Sequence, residues 1–105
     1  MSERIAFKMF LKIGAQQEYR KRHDSIWPEL KMILKDKGIS EYYIFLDEDT
    51  DTLFAFFTVD DLAKYNTLSN NKIMKKWWVY MTDLMETNED DSPKVIELEK
   101  IFYLK

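Results

Sequence analysis

The chain has 105 residues, 46% of them hydrophobic and 33% charged, which is the make-up of a single globular domain over residues 1–105. A net charge of −3 offers no basic stripe to neutralise phosphates, which excludes nucleic acid as a partner and speaks against anionic membrane surfaces. Cysteine is absent, which removes disulfides, thiolate nucleophiles and cysteine metal sites and fits a cytoplasmic protein.

Met1-Ser2-Glu3-Arg4 is followed by no long apolar run, so no signal peptide is expected. Ile5, Phe7, Met9 and Leu11 then alternate with Ala6, Lys8, Phe10 and Lys12, a strand pattern. Gly14 opens a turn, and Ala15 to His23 reads as helix. Asp24-Ser25 interrupts it, and Pro28 restarts a helix at its first turn, where proline is tolerated. Glu29 to Lys37 places Leu30, Ile33 and Leu34 on one face, and Gly38 is the expected stop. Trp27-Pro28 reads as structural, closing the gap between the two helical pieces.

Glu41 to Leu46 predicts a second strand, Asp47 to Asp51 an acidic turn, and Thr52 to Val59 a third strand. Asp60 is a candidate N-cap for a helix starting near Asp61. That helix breaks around Ser69-Asn70-Asn71. Another runs from Lys72 to about Met85, a polar loop spans Thr87 to Pro93, and Glu97 to Tyr103 predicts a last strand. Nowhere do ~18 apolar residues run together, so no membrane span is expected.

This order, βαββαβ, predicts an α+β fold of ferredoxin-like type: a four-stranded antiparallel sheet with helices on one face. A sheet covered on one side should show water a polar second face. Here Phe10 lies opposite the Phe7 face, and Phe54 and Phe56 lie opposite Leu53, Phe57 and Val59. Both faces are too apolar for solvent, which predicts a homodimer that covers the free face, as in dimeric α+β barrels. Aromatics make up 15% of the chain, more than a domain burying ~60–70% of its surface can hide. Part of that area is left for a ligand site or a subunit contact.

The acidic turn lacks the glycine and distant glutamate of a calcium loop, and one histidine without cysteine makes a poor transition-metal site, so no metal is expected. No glycine-rich loop exists to cradle nucleotide phosphates. His23 is the one side chain with an unperturbed pKa near neutrality, ~6.5. Tyr19 lies four residues earlier on the same helical face, so the two can offer a proton donor and an acceptor to one ligand. The plain alternative is a helix-end histidine favoured by the macrodipole. Trp77 and Trp78 point ~100° apart on their helix, so one can enter the core while the other lines a cleft or subunit boundary. An indole face suits the apolar edge of a sugar. Tyr42 and Tyr43 point to opposite sheet faces, with nothing to say which faces the helices. Asp83 could orient a histidine or stand solvated.

Taken together, Tyr19-Arg20-Lys21-Arg22-His23, Ile26-Trp27-Pro28-Glu29-Leu30, Lys76-Trp77-Trp78-Val79-Tyr80-Met81-Thr82-Asp83 and Phe102-Tyr103-Leu104 resemble the L-rhamnose mutarotase family, over essentially the whole chain. The resemblance implies a dimeric ferredoxin-like fold and cofactor-free interconversion of the α and β anomers of L-rhamnose. It implies that His23 matches the family's proton donor, and that Tyr19, Tyr42, Trp77 and Trp78 match its sugar-binding positions. Asp24-Ser25 departs from an asparagine-proline after the histidine, and Phe45 from a tyrosine. Two other readings share the topology: a cofactor-free monooxygenase and a non-catalytic sugar-binding dimer.

Overall fold

The computed structural model of the protein describes residues 2–105. In chain order it comprises β1 (Glu3–Phe10), α1 (Gln16–Asp24), α2 (Pro28–Asp36), β2 (Ile39–Asp47), β3 (Thr52–Val59), α3 (Leu62–Tyr65), a 3-10 turn (Leu68–Asn70), α4 (Lys72–Met81) and β4 (Ile96–Glu97). The strands form a four-stranded sheet in the order β2-β3-β1-β4, every pair antiparallel. This is the expected ferredoxin-like architecture.

Strand alternation decides what each face carries. The β1–β3 register pairs Ile5 with Phe57, Phe7 with Ala55 and Met9 with Leu53, and these residues face the helices. Leu53, Phe57 and Val59 are fully buried there, together with Leu30 from α2. The opposite face carries Ala6 against Phe56, Lys8 against Phe54, and Tyr43 and Phe45 of β2 beside them. Tyr43 and Phe45 stack with ring centroids 6.0 Å apart, and Phe45 is 61% exposed. The expected doubly apolar sheet is therefore present, with one face uncovered in the single chain.

β2 is longer than expected and irregular. Ser40 pairs with Thr58 and Tyr43 with Phe56, so one surplus residue sits between them, at Glu41-Tyr42. Glu41 adopts a left-handed backbone, φ 52°. The bulge is required by the sequence, because Ile39 faces the helices from an odd position while Ile44 and Leu46 do so from even ones. α2 stops at Gly38, whose φ is 81° and where a Cβ would collide with the Asp60 side chain.

Three expected boundaries move. The cap of α3 is Asp61, whose carboxylate accepts from the Ala63 and Lys64 N–H groups, while the Asp60 N–H donates to Gly38. α4 ends at Met81 rather than Met85. The chain after it pairs with the extension of β1, through Lys12 N–H to Leu84 and Glu86 N–H to Phe10, which draws residues 84–86 out of helical geometry. The last strand is confined to Ile96–Glu97, plus one bond from the Leu98 N–H to Ala6. Ile101 and Phe102 beyond it are 85% and 78% exposed.

Candidate functional site

Between the sheet and the helices lies a cavity of about 970 Å³, with an adjoining recess of about 70 Å³. Tyr19, His23, Tyr42, Trp77 and Trp78 line both, so the fold brings all five sequence-derived candidates to one place. Most of the remaining wall is apolar, with Met9, Ile44 and Met74 among it.

Each side chain arrives for a local reason. Tyr19 and His23 are one helical turn apart on α1, and their rings stack at 4.3 Å with a 29° tilt. The same spacing puts His23 Nδ1 3.1 Å from the Tyr19 carbonyl. A carbonyl only accepts, so Nδ1 carries the proton, and Nε2 is the nitrogen left for a ligand. α4 presents its buried Trp77 edge-on to His23, centroids 5.5 Å apart. Trp77 is the tryptophan that enters the core, and Trp78 is half-buried beside the cavity. Trp27 meets Trp77 edge-on from behind at 5.1 Å, in keeping with a structural role. The β2 bulge turns Tyr42 toward the helices, stacked on Phe57 at 4.8 Å, and leaves Tyr43 on the uncovered face.

Burial sets the charge states. It pushes the His23 imidazole below its ordinary 6.5, only partly opposed by the Tyr19 carbonyl and the nearby Asp24. At neutral pH the ring is therefore uncharged, and Nε2 holds a lone pair. Burial also drives the Tyr19 and Tyr42 phenols upward, with a further push on Tyr19 from Tyr42. Tyr42 is 39% exposed and lines the cavity. Both phenols stay protonated and act as hydrogen-bond donors rather than bases.

Asp83 does not reach the histidine. It takes a two-pronged bond from Arg22, 2.9 and 3.1 Å, and that guanidinium holds its carboxyl below the usual range. Sequence reasoning also missed a polar part of the cavity lining, Asn88, Asp90 and Ser92 with Pro93, from the loop before β4. Asp90 accepts from the Ser92 N–H and hydroxyl, which fixes that loop. A polar stretch between helix and strand reads as a plain connection, so nothing local marked it as part of a site.

Comparison with known proteins places this arrangement. The family model described as L-rhamnose mutarotase matches residues 4–104. An L-rhamnose mutarotase of Formosa agariphila is 54% identical over 98% of this chain and 99% of its own. One from Listeria monocytogenes is 49% identical over 97% and 98%. The crystal structure of the Formosa agariphila L-rhamnose mutarotase superposes with a TM-score of 0.92 over 98% of this chain and 99% of that one, at 54% identity. A putative antibiotic biosynthesis monooxygenase from Bacteroides thetaiotaomicron, 12% identical with a TM-score of 0.63 over 96% and 90%, shares the fold alone. With a family model and relatives that run its full length, the chain belongs to the L-rhamnose mutarotase family.

Proposed function

We infer that this chain interconverts the α and β anomers of L-rhamnose, with His23 as its proton-carrying group. Ring opening of a hemiacetal requires loss of the proton on the anomeric hydroxyl, gain of one at the ring oxygen, and cleavage of the bond from C1 to that oxygen. Rotation about C1–C2 and closure on the other carbonyl face then give the second anomer. No electrons are gained or lost, so an acid/base group and a shaped pocket suffice.

The observation that carries this reading is the His23 ring, fixed by its own helix backbone with Nδ1 on the Tyr19 carbonyl and uncharged in a partly desolvated wall. Such a ring starts as an acceptor. Nε2 takes the anomeric proton as the ring opens and delivers it to the ring oxygen, which makes His23 the donor of the resemblance only after it has first been the base. On closure the same steps run in reverse and the imidazole returns uncharged. Tyr19 and Tyr42 supply neutral hydrogen bonds to sugar oxygens, and Trp77 and Trp78 offer flat surface to the apolar edge with its C6 methyl.

The working unit is a homodimer. Its support is the uncovered sheet face with Tyr43, Phe45 and Phe56, a contiguous aromatic patch of the kind monomers rarely leave to water. No helix among the described residues is long and apolar enough to cross a membrane. A cytoplasmic location is supported by the lack of cysteine.

Magnetisation exchange between the anomeric protons of L-rhamnose tests the function. The wild-type chain should raise the exchange rate above its buffer value, and His23→Ala should lower the enzymic part by about 10²–10⁴-fold. Exchange at the buffer value with the wild-type chain would leave a sugar-binding dimer as the reading. Full activity in His23→Ala would remove the histidine from the mechanism.

A further inference from the structure

α1 carries two of the groups that matter and is poorly secured by ordinary means. It has nine residues, no side-chain cap at Ala15, and Tyr19 as its buried residue. A helix of that length does not hold itself in water and takes its place from tertiary contacts. Gln16 ties its first turn to the β2–β3 turn, donating to the Glu48 carbonyl and to Asp51. The contact that fixes its last turn is Arg22, next to His23 but pointing ~100° away round the helix.

The Arg22 side chain is only 12% exposed. Its Nε donates to Glu18 at 2.9 Å, one turn back on α1. Nη1 donates to the Tyr80 carbonyl at 2.6 Å and to Asp83 at 2.9 Å, and Nη2 to the second Asp83 oxygen at 3.1 Å. The guanidinium carbon also lies 4.3 Å from the Tyr80 ring centroid. Tyr80 belongs to the last turn of α4, and its carbonyl lacks the usual helical donor because the Leu84 N–H bonds to Met81 instead. Arg22 satisfies that orphan acceptor and sets a positive charge at the negative end of the helix. The latch continues through aromatic rings. Tyr80 stacks on Trp27 at 5.5 Å, Trp27 meets Trp77 at 5.1 Å, and Trp77 meets His23 at 5.5 Å. The path closes on the residue beside Arg22.

We propose that Arg22 is a positioning residue for the proton transfer: it latches the end of α1 to the end of α4 and so holds the His23 ring against Trp77. It is not part of the cavity wall and has no contact through which to bind the sugar. The geometry demands arginine. Two parallel N–H groups meet one carboxylate, a third reaches Glu18, and the flat face covers Tyr80, a set that the point charge of lysine cannot match.

The proposal rests on His23 as the proton carrier, and the test separates the two. Anomer exchange is measured for Arg22→Lys, Arg22→Gln and Asp83→Asn, each with His23 present and in a His23→Ala background, alongside thermal unfolding. With His23 present, the Arg22 variants should lower kcat by about tenfold to a hundredfold while KM stays within about twofold, as for a reacting group displaced by a fraction of an ångström to 1 Å. In the His23→Ala background the same substitutions should change the residual rate by less than about twofold, because what they misplace is already gone. Asp83→Asn alters a residue whose side chain is 63% exposed, so it leaves a folded chain even if the Arg22 variants do not, and should show the same dependence on background with a smaller fall. Equal falls in both backgrounds, or an unchanged kcat in Arg22→Gln or in a folded Asp83→Asn, would overturn the latch while leaving His23 in place. Full activity in His23→Ala would overturn the histidine reading and the latch with it.

Discussion

The cavity has two walls of opposite character. The sheet wall is a close-packed core in which Leu53, Phe57 and Val59 are fully buried. The α1 wall buries one residue, has no N-terminal side-chain cap, and is held by polar bonds, from Gln16 at its start and from Arg22 at its end. Buried apolar packing is concentrated in the first wall, and the proposed proton carrier sits in the second. The division follows from what each needs. A core gains from uniform apolar contact, whereas a proton-carrying ring needs one angle, and directional polar bonds set angles better than packing does.

The separation can be broken or sharpened by substitution. Phe57→Ala opens the largest hole, beneath Tyr42 and against Phe7, and should cost about 3–5 kcal/mol in chemical denaturation, a large share of a small domain's stability. A loss below about 1 kcal/mol would show that the sheet wall is not the stabilising one. His23→Gln is the mirror case: activity collapses while the unfolding midpoint near neutral pH hardly moves.

Acidity sharpens the contrast further. Desolvation lowers the His23 pKa, so the uncharged form, which the proposed mechanism uses, is lost only as pH falls below 6.5. The rate should show an acid limb there that His23→Gln abolishes. Between 6.5 and the lowered value the unfolded chain takes up the proton before the folded one does, so the stability contribution of this residue falls as pH falls through that window. His23→Gln should flatten this dependence, and pH-dependent unfolding curves check it. A smaller effect is expected from Tyr42→Phe, which keeps the stack on Phe57 and removes only a hydroxyl donor. KM or kcat should change by about 1–2 kcal/mol equivalent, with stability unchanged. Smallest is Glu41→Gly, which relieves a left-handed backbone at a residue with a Cβ. A shift within about 1 kcal/mol toward stability, with full activity, is the expected outcome in thermal unfolding.

Element order and both apolar sheet faces were legible because alternation in β1 and β3 is unbroken from Ile5 to Phe10 and from Leu53 to Val59. His23, Tyr19, Trp77 and Trp78 were legible as residue types suited to a sugar, and helical spacing already joined the first two. What stayed hidden depends on distant partners. Arg22 meets Asp83 across 61 positions of sequence, and no local pattern links them. The far end of α4 was overextended because apolar Leu84 and Met85 continue the helical pattern, although the end of β1 recruits them. The last strand is shorter than its pattern for the converse reason: Ile101 and Phe102 look like strand residues, but pairing with β1 stops at Leu98 and both stand exposed.

The surplus residue of β2 makes that strand behave like a reading frame. Substitution at Glu41 leaves the frame intact, but removal of a single residue there would exchange inside for outside along one arm of the strand. Tyr43 and Phe45 would enter the cavity while Tyr42, Ile44 and Leu46 faced outward, or else Ile39 would leave the core. Chain length in this segment is therefore under tighter constraint than residue identity, and a relative that gained or lost one position between Ile39 and Ile44 would have had to rebuild both sides of the sheet at once.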